Sequence, residues 1–202
     1  QHLPGLLDAI EAGVIPPGAI DTLRRRQLTE HRDPTLKARA AKLFDAARTG
    51  DRGKVYDDLK AVVTLSSDPE NGRQVFKRVC AACHRLEREG TPVGPDLFSI
   101  RNQPKEAILL HIVIPEHEIT QGYAAYVVTT KDGRVLTGLL AAETANSITL
   151  RQSLGKEDTI LRSDIDELVA SRLSLMPQEI EKNVTRQEFA DLLAYLKGEK
   201  KQ

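Results

Sequence analysis

The 202-residue sequence has no tryptophan, a single methionine (Met176) and only two cysteines, Cys80 and Cys83. Two cysteines exclude a small fold stapled by several disulfides, and a chain of this length buries at least one core without them; at ~150 residues per domain it forms one or two. An excess of one charge is also missing: 29 Lys+Arg stand against 29 Asp+Glu, with no long block of either sign. That balance argues against a general binder of nucleic acid or of anionic membranes. Long apolar runs are absent too. The longest stretches, such as Ala107 to Ile114, fall far short of the ~18 to 20 residues that cross a bilayer, and nothing resembles a signal peptide. The chain starts at Gln1 without a Met, so either a leader has been removed or the chain is a piece of something longer.

What is present divides into helix, sheet and helix. Up to about Leu65, apolar residues recur three and four apart, as in Leu6, Leu7 and Ile10, then Leu36, Ala40, Leu43, Phe44 and Ala47, which is the spacing of one helix face. Asp33-Pro34 is N-cap plus Pro at the first helical position, and Gly50 is expected to close that helix. Asp68-Pro69-Glu70 repeats the same opening, predicting a helix from Pro69 to about Cys83. A loop rich in Gly and Pro follows from Arg85 to Gln103, then a helix from Pro104 to Ile114, ended by Pro115. From Tyr123 to about Val169 the period changes to two, with β-branched runs at 126–130, 135–140, 147–150 and 159–161 separated by hairpin-type turns. This predicts a small antiparallel module. In the tail, Thr185 with Glu188 forms a capping box ahead of an apolar face of Phe189, Leu192, Leu193 and Leu196, with Gly198 as the stop.

The chemistry lies in residues 80–84, Cys-Ala-Ala-Cys-His, the attachment signature of c-type haem. Thiols three residues apart at a helix end reach the two vinyl groups of one porphyrin edge, and the next residue brings an imidazole to the iron. Three other uses of the pair compete. A thioredoxin-like redox pair needs a helix N-terminus to lower the thiol pKa, whereas this pair sits at a C-terminus. Structural zinc needs four ligands, and there is neither a second cysteine pair nor a histidine spaced to join this one. A disulfide across Cys-X-X-Cys is strained and closes almost no loop.

The iron would need a sixth ligand or an open site. Met176, in Leu-Ser-Leu-Met-Pro just before the final helices, supplies a thioether that gives His/Met ligation and a raised potential, although an isolated Met is often core filler. His111, in an apolar helical run, and His117, in the loop after Pro115, are the rivals. A ligating His usually donates its other ring N–H to a carbonyl, and the Gly94-Pro95-Asp96-Leu97 turn is placed to supply one, most simply from Pro95.

Taken in order, GRQVFKRVCAACH, VGPDL, LSLMP and EFADLLAYLKG resemble class I cytochrome c. The resemblance implies Cys80 and Cys83 as thioether anchors, His84 as proximal ligand, Pro95 as its orienter and Met176 as distal ligand. It also implies that the first and last helices cross, with Gly72 and Phe76 against Leu192 or Tyr195. The interval from His84 to Met176 is longer than a small cytochrome needs, and the β module accounts for the excess. With IVIPEHEITQGYAAYVVTTKDGRVLTGLL ahead of LSLMP, the chain is similar to the haem-binding C-terminal domain of large planctomycete and verrucomicrobial proteins. In that family the domain follows a sugar-dehydrogenase or quinoprotein type β-propeller and HEAT-like helices. The segment HRDPTLKARAAKLFDAA resembles the second half of a HEAT-type repeat; an ordinary helical cap accounts for it equally well.

The expected architecture is mainly α with a β insertion. Residues 1–65 form a helical, HEAT-like segment, and residues 66–202 form a cytochrome c-like haem domain with the insertion at about 120–170. The β module looks like a small SH3-like or Sm-like barrel, a likeness that carries no function; a packing insert that shields the haem is the simpler reading. The expected function is an electron-transfer module with one covalent haem c. It would take electrons from a donor dehydrogenase and pass them to an acceptor cytochrome or oxidase, with no substrate chemistry of its own. A haem-based sensor or peroxidase-like module with an open distal site, and a haem-free interaction domain, are the alternatives. Haem c chemistry implies a bacterial periplasm or cell surface.

Overall fold

A computed structural model describes residues 3–12, 14–15, 20, 22–171 and 173–200, and the chain divides into two units, Gln1–Val55 and Tyr56–Gln202. The first holds α1 (Leu3–Glu11), α2 (Thr22–Thr29) and most of α3 (Pro34–Leu59). The Asp33 carboxylate accepts from Thr35 N (2.8 Å) and Leu36 N (3.3 Å), the N-cap geometry that Asp-Pro dictates. Gly50 does not close α3, which runs on to Leu59. Glycine inside a helix costs about 1 kcal/mol, yet it ends the helix only where the backbone turns left-handed, and α3 continues through Gly50. Leu7, Ile10, Ile20, Leu28, Ala40 and Phe44 form this unit's core, and Arg39 pairs with Asp8 (2.6 Å) and Glu11 (2.7 Å) at its edge. The division falls inside α3, ahead of the Ser66-Ser67 break, because the 3₁₀ turn Lys60–Thr64 buries Val62 and packs with the C-terminal helix.

In the second unit, α4 (Pro69–Val79) starts under an Asp68 cap that accepts from Glu70 N at 3.0 Å. It ends four residues before Cys83, and residues 80–83 form a turn. Next come the short strands β1 (Arg85–Leu86) and β2 (Glu89–Gly90), which pair with each other inside what reads as loop, and then α5 (Lys105–Val113). The chain closes on α6 (Arg186–Lys197), which carries the reciprocal Thr185/Glu188 capping box and stops at Gly198 with φ +69°. Helices α4 and α6 cross at Gly72, where any Cβ would overlap the Asp191 carbonyl oxygen and lie 2.9 Å from Tyr195 Cβ. Only glycine lets the two backbones meet there. The Phe76 and Tyr195 rings pack beside the crossing, centroids 5.5 Å apart. The buried Asp191 carboxylate accepts from Asp68 N (2.8 Å), Asn71 Nδ2 (2.6 Å) and Gln187 Nε2 (2.9 Å), fastening the start of α4 to α6.

Between α5 and α6 lies a five-stranded antiparallel sheet of β3 (Ala125–Thr130), β4 (Val135–Glu143), β5 (Ser147–Arg151), β6 (Glu157–Leu161) and β7 (Ile165–Ala170), in the order β6-β5-β4-β3-β7. It is larger than the small insertion read from the sequence. The extra strand is β7, whose Asp166 and Glu167 blur the alternation and which pairs not with β6 but with β3, Tyr126 opposite Ala170. Val128, Ile148, Leu150 and Ile160 are the core on one face, joined by Leu136, Leu140, Ile165 and Leu168. Because β3 and β7 are antiparallel neighbours, the sheet begins and ends in one place, and Ser171 N donates to Ala125 O (2.7 Å) to extend the join. Tyr123, just before β3, and the Met176 segment, just after β7, therefore leave the sheet together. Among the described residues no helix is long and apolar enough to cross a membrane.

Candidate functional site

The Cys-Ala-Ala-Cys-His segment is the C-cap of α4 and the turn beyond it. Cys80 is the C-cap, its N–H still bonded to Phe76 O (2.8 Å), and His84 N donates to Cys80 O (2.9 Å) to coil the five residues tightly. The Gly- and Pro-rich loop then wraps back over this coil: Thr91 N donates to Ala81 O (2.9 Å), Gly94 N to Cys83 O (2.6 Å) and Leu97 N to Arg85 O (2.9 Å). The motif's carbonyls are thus satisfied by the loop that follows it, which holds the imidazole's neighbours in place.

His84 Nδ1 lies 2.8 Å from Pro95 O. A carbonyl only accepts, so Nδ1 carries the proton and Nε2 keeps its lone pair, the tautomer a metal ligand needs. Burial holds the His84 pKa below its ordinary value, against a smaller opposite pull from the Pro95 carbonyl, which also favours the neutral ring. Gly94 lies flush with that ring. A Cβ on it would come within 2.7 Å of His84 Cε1 and 3.0 Å of Nδ1, so a side chain there would push the imidazole aside.

His84 opens onto a cleft of about 350 Å³, part of it open to solvent, that is also lined by Cys83, Val93, Gly94, Pro95, Tyr123, Leu139, Ser174, Leu175 and Met176. One wall comes from the attachment loop and the other from the sheet and the segment behind it. The structure therefore brings Cys83, His84, Pro95 and Met176 to one cleft, with Cys80 one helical turn away on the same coil. Met176 N donates to Ser174 Oγ (3.1 Å) and Leu173 N to Ser171 Oγ (3.0 Å), serine turns that shape the segment between β7 and α6. His111 and His117 are not in that lining; their rings face each other edge to face, centroids 5.9 Å apart. Tyr123, Leu139 and the ring-supporting role of Gly94 were missed in the sequence. The first two lie around the start of a sheet whose register the sequence does not reveal, and the third is a long-range contact with no local signal.

The residues present fit a haem c. Both cysteines are free thiols, the neutral imidazole has an available Nε2, and the cleft is mostly apolar with a thioether in its lining. Other uses fit less well. Burial, and to a smaller degree the neighbouring Cys83 thiol, pushes the Cys80 pKa up to about 12, the opposite of an activated redox nucleophile. Among the described residues no three His, Cys, Asp or Glu side chains converge to hold a metal ion, so these residues do not build the four-ligand site of structural zinc.

Comparison with known proteins points the same way. A protein of Synechocystis sp. described as cytochrome c-553-like is 30% identical over 56 residues, which make up 28% of this chain and 52% of that protein. The chain therefore spans about half the length of the curated relative it matches. Residues 69–149 match the cytochrome c family. That span begins with α4, contains Cys80, Cys83, His84 and Pro95, ends before Met176, and makes this stretch similar to a cytochrome c domain.

Proposed function

We propose that residues 66–202 carry one haem c, bound through thioethers to Cys80 and Cys83 with His84 and Met176 as axial ligands, and act as an electron-transfer module. The observation that carries this reading is the His84 imidazole, protonated toward Pro95, flush against Gly94 and sharing a cleft with Met176 beside the two thiols. When bound, haem iron supplies one-electron exchange, which asks no proton or substrate chemistry of the protein. The chain's own residues do the rest. Pro95 fixes the imidazole tautomer, Gly94 its plane, and the sheet delivers Tyr123, Leu139 and the Met176 segment as an apolar wall that limits water and so raises the potential.

The electron donor is a dehydrogenase, in the same longer polypeptide or docked to it, and the acceptor is a downstream cytochrome or oxidase. The chain works outside the bacterial cytoplasm, where haem c is attached, as the haem-binding domain of a large protein of the planctomycete and verrucomicrobial type, with Gln1–Val55 as its HEAT-like neighbour. The test is expression with a haem c maturation system. A pyridine haemochrome of the c type at one haem per chain is expected, and the ferric protein should show the near-infrared sulfur-to-iron band. Met176→Ala should abolish that band and leave the haemochrome intact. Survival of the band removes Met176 as ligand, and rapid carbon monoxide binding by the reduced parent at neutral pH replaces electron transfer with an open-site sensor.

A further inference from the structure

We propose that Glu116 is a positioning residue for the Met176 thioether: its carboxylate clamps Gln178 and so holds the Met176 segment at the cleft. This rests on the reading of Met176 as axial ligand given above. Residues 173–178, between β7 and α6, form neither helix nor strand, so the place of Met176 depends on how the two ends of its segment are tied. At the sheet end, Ser171 N donates to Ala125 O (2.7 Å). Beyond Met176, Gln178 Nε2 donates to Glu116 Oε2 (2.9 Å) in partly buried surroundings. Both ties run to the connection between α5 and β3. Glu116 lies near its start, Ala125 follows its end, and Tyr123 within it lines the same cleft as Met176.

Glu116 is firmly mounted. Pro115 before it is buried and has a fixed φ, and His117 N donates to Ile114 O (2.9 Å) to close a turn around it. A carboxylate acceptor makes the bond to Gln178 stronger than one between neutral groups. The backbone beyond Gln178 gives the clamp a load to bear. Glu179 stands at φ +67°, ψ +24°, a left-handed conformation that a glutamate adopts at a cost. Its carboxylate pairs with Lys182 (3.0 Å), and the 3₁₀ turn Ile180–Asn183 that follows packs with α5. A chain released at Gln178 would relax that left-handed residue and carry Met176 with it. Glu116 is not in the cleft lining, so it acts on Met176 through Gln178 and not by direct contact.

The haem-loaded full chain is the test, with imidazole as the probe. Imidazole takes the sixth position on ferric iron when the Met176 thioether has left it: an iron–sulfur bond breaks, an iron–nitrogen bond forms, and no electron moves. Its apparent affinity therefore rises with the fraction of chains in which Met176 is released. Glu116→Ala should bind imidazole about tenfold more tightly than the parent, the effect of losing one charge-assisted hydrogen bond, with the haemochrome unchanged. Gln178→Ala should tighten binding as well, and the double variant should add nothing to the larger single effect, because the two side chains make one bond. Glu116→Gln keeps a carbonyl acceptor and should restore the parent affinity. Parent-like binding by Glu116→Ala overturns the proposal. So does additivity in the double variant, or a Glu116→Gln that behaves like Glu116→Ala and so assigns the effect to the charge. A parent without the near-infrared sulfur-to-iron band overturns the Met176 reading itself, a failure visible before any variant is compared.

Discussion

In the second unit the helices behind the attachment coil and the sheet on the other side of the cleft are held together by different means. The helical part depends on close approach and polar fastening. Gly72 lets α4 meet α6, Asp191 takes three hydrogen bonds from the start of α4 and its own helix, and Glu89 gathers Arg73, Lys77 and Tyr195. The sheet depends on apolar burial, with Val128, Ile148 and Leu150 fully enclosed, and its β5–β6 turn bonds to the attachment coil, Leu154 N to Ala82 O. The difference separates two tasks. On the proposed haem c reading, the coil beyond α4 and the loop that wraps it hold the His84 ring, while the sheet supplies a wall and leads into the Met176 segment.

The comparison breaks most severely at Gly72. In Gly72→Val the new side chain meets the Asp191 backbone, which cannot move without unseating α6, and such overpacking costs about 3 kcal/mol. Denaturant unfolding should show that loss, and haem attachment in a maturation system should fall with it, since His84 hangs from the end of α4. A variant with parental stability would mean that the helices do not meet at this residue.

Leu150→Ala attacks the other side. Removing a fully buried leucine from the sheet core costs about 2.5 kcal/mol. The loss should be local: amides of β4, β5 and β6 should lose hydrogen-exchange protection while α4 and α6 keep theirs. Equal loss in the helices would show that helices and sheet unfold as one body and would erase the distinction drawn above.

How much of this was legible depended on range. The caps at Asp33, Asp68 and Thr185 and the stop at Gly198 were readable, because each is a bond or a dihedral within four residues of its own signal. The Gly72 crossing came with the family resemblance, since nothing near that residue announces a partner more than a hundred positions away, whereas the Pro95 carbonyl was readable as the turn that follows a histidine in need of an acceptor. The fifth strand was not legible. Ile165–Ala170 carries two acids, and its partner β3 lies some 40 positions earlier, so its register comes from tertiary packing. The same holds for Gly94 against the His84 ring and for Leu154, where the sequence offers a leucine and the fold imposes a left-handed backbone on it. Gly50 shows the converse: a local signal that α3 ignores.

The smallest expected effect tests whether the helical side alone responds to acid. Glu89, in the β1–β2 hairpin, has its pKa lowered to about 2, first by the hydrogen bond from Arg73 and then by Lys77, with partial burial opposing both. A carboxyl whose folded pKa lies below its unfolded value stabilises the fold above the unfolded pKa and loses that contribution as pH falls toward the folded one. The pairs are close to the surface, where solvent screening leaves less than about 1 kcal/mol. Glu89→Gln should therefore be slightly less stable than the parent at pH 7, and the gap should close between pH of about 4.5 and about 2. Urea titrations at a series of pH values would follow it. The Leu150→Ala deficit should stay flat over the same range, because no titrating group is involved in it; a Glu89→Gln deficit that widens on acidification would assign the stabilising charge to another residue.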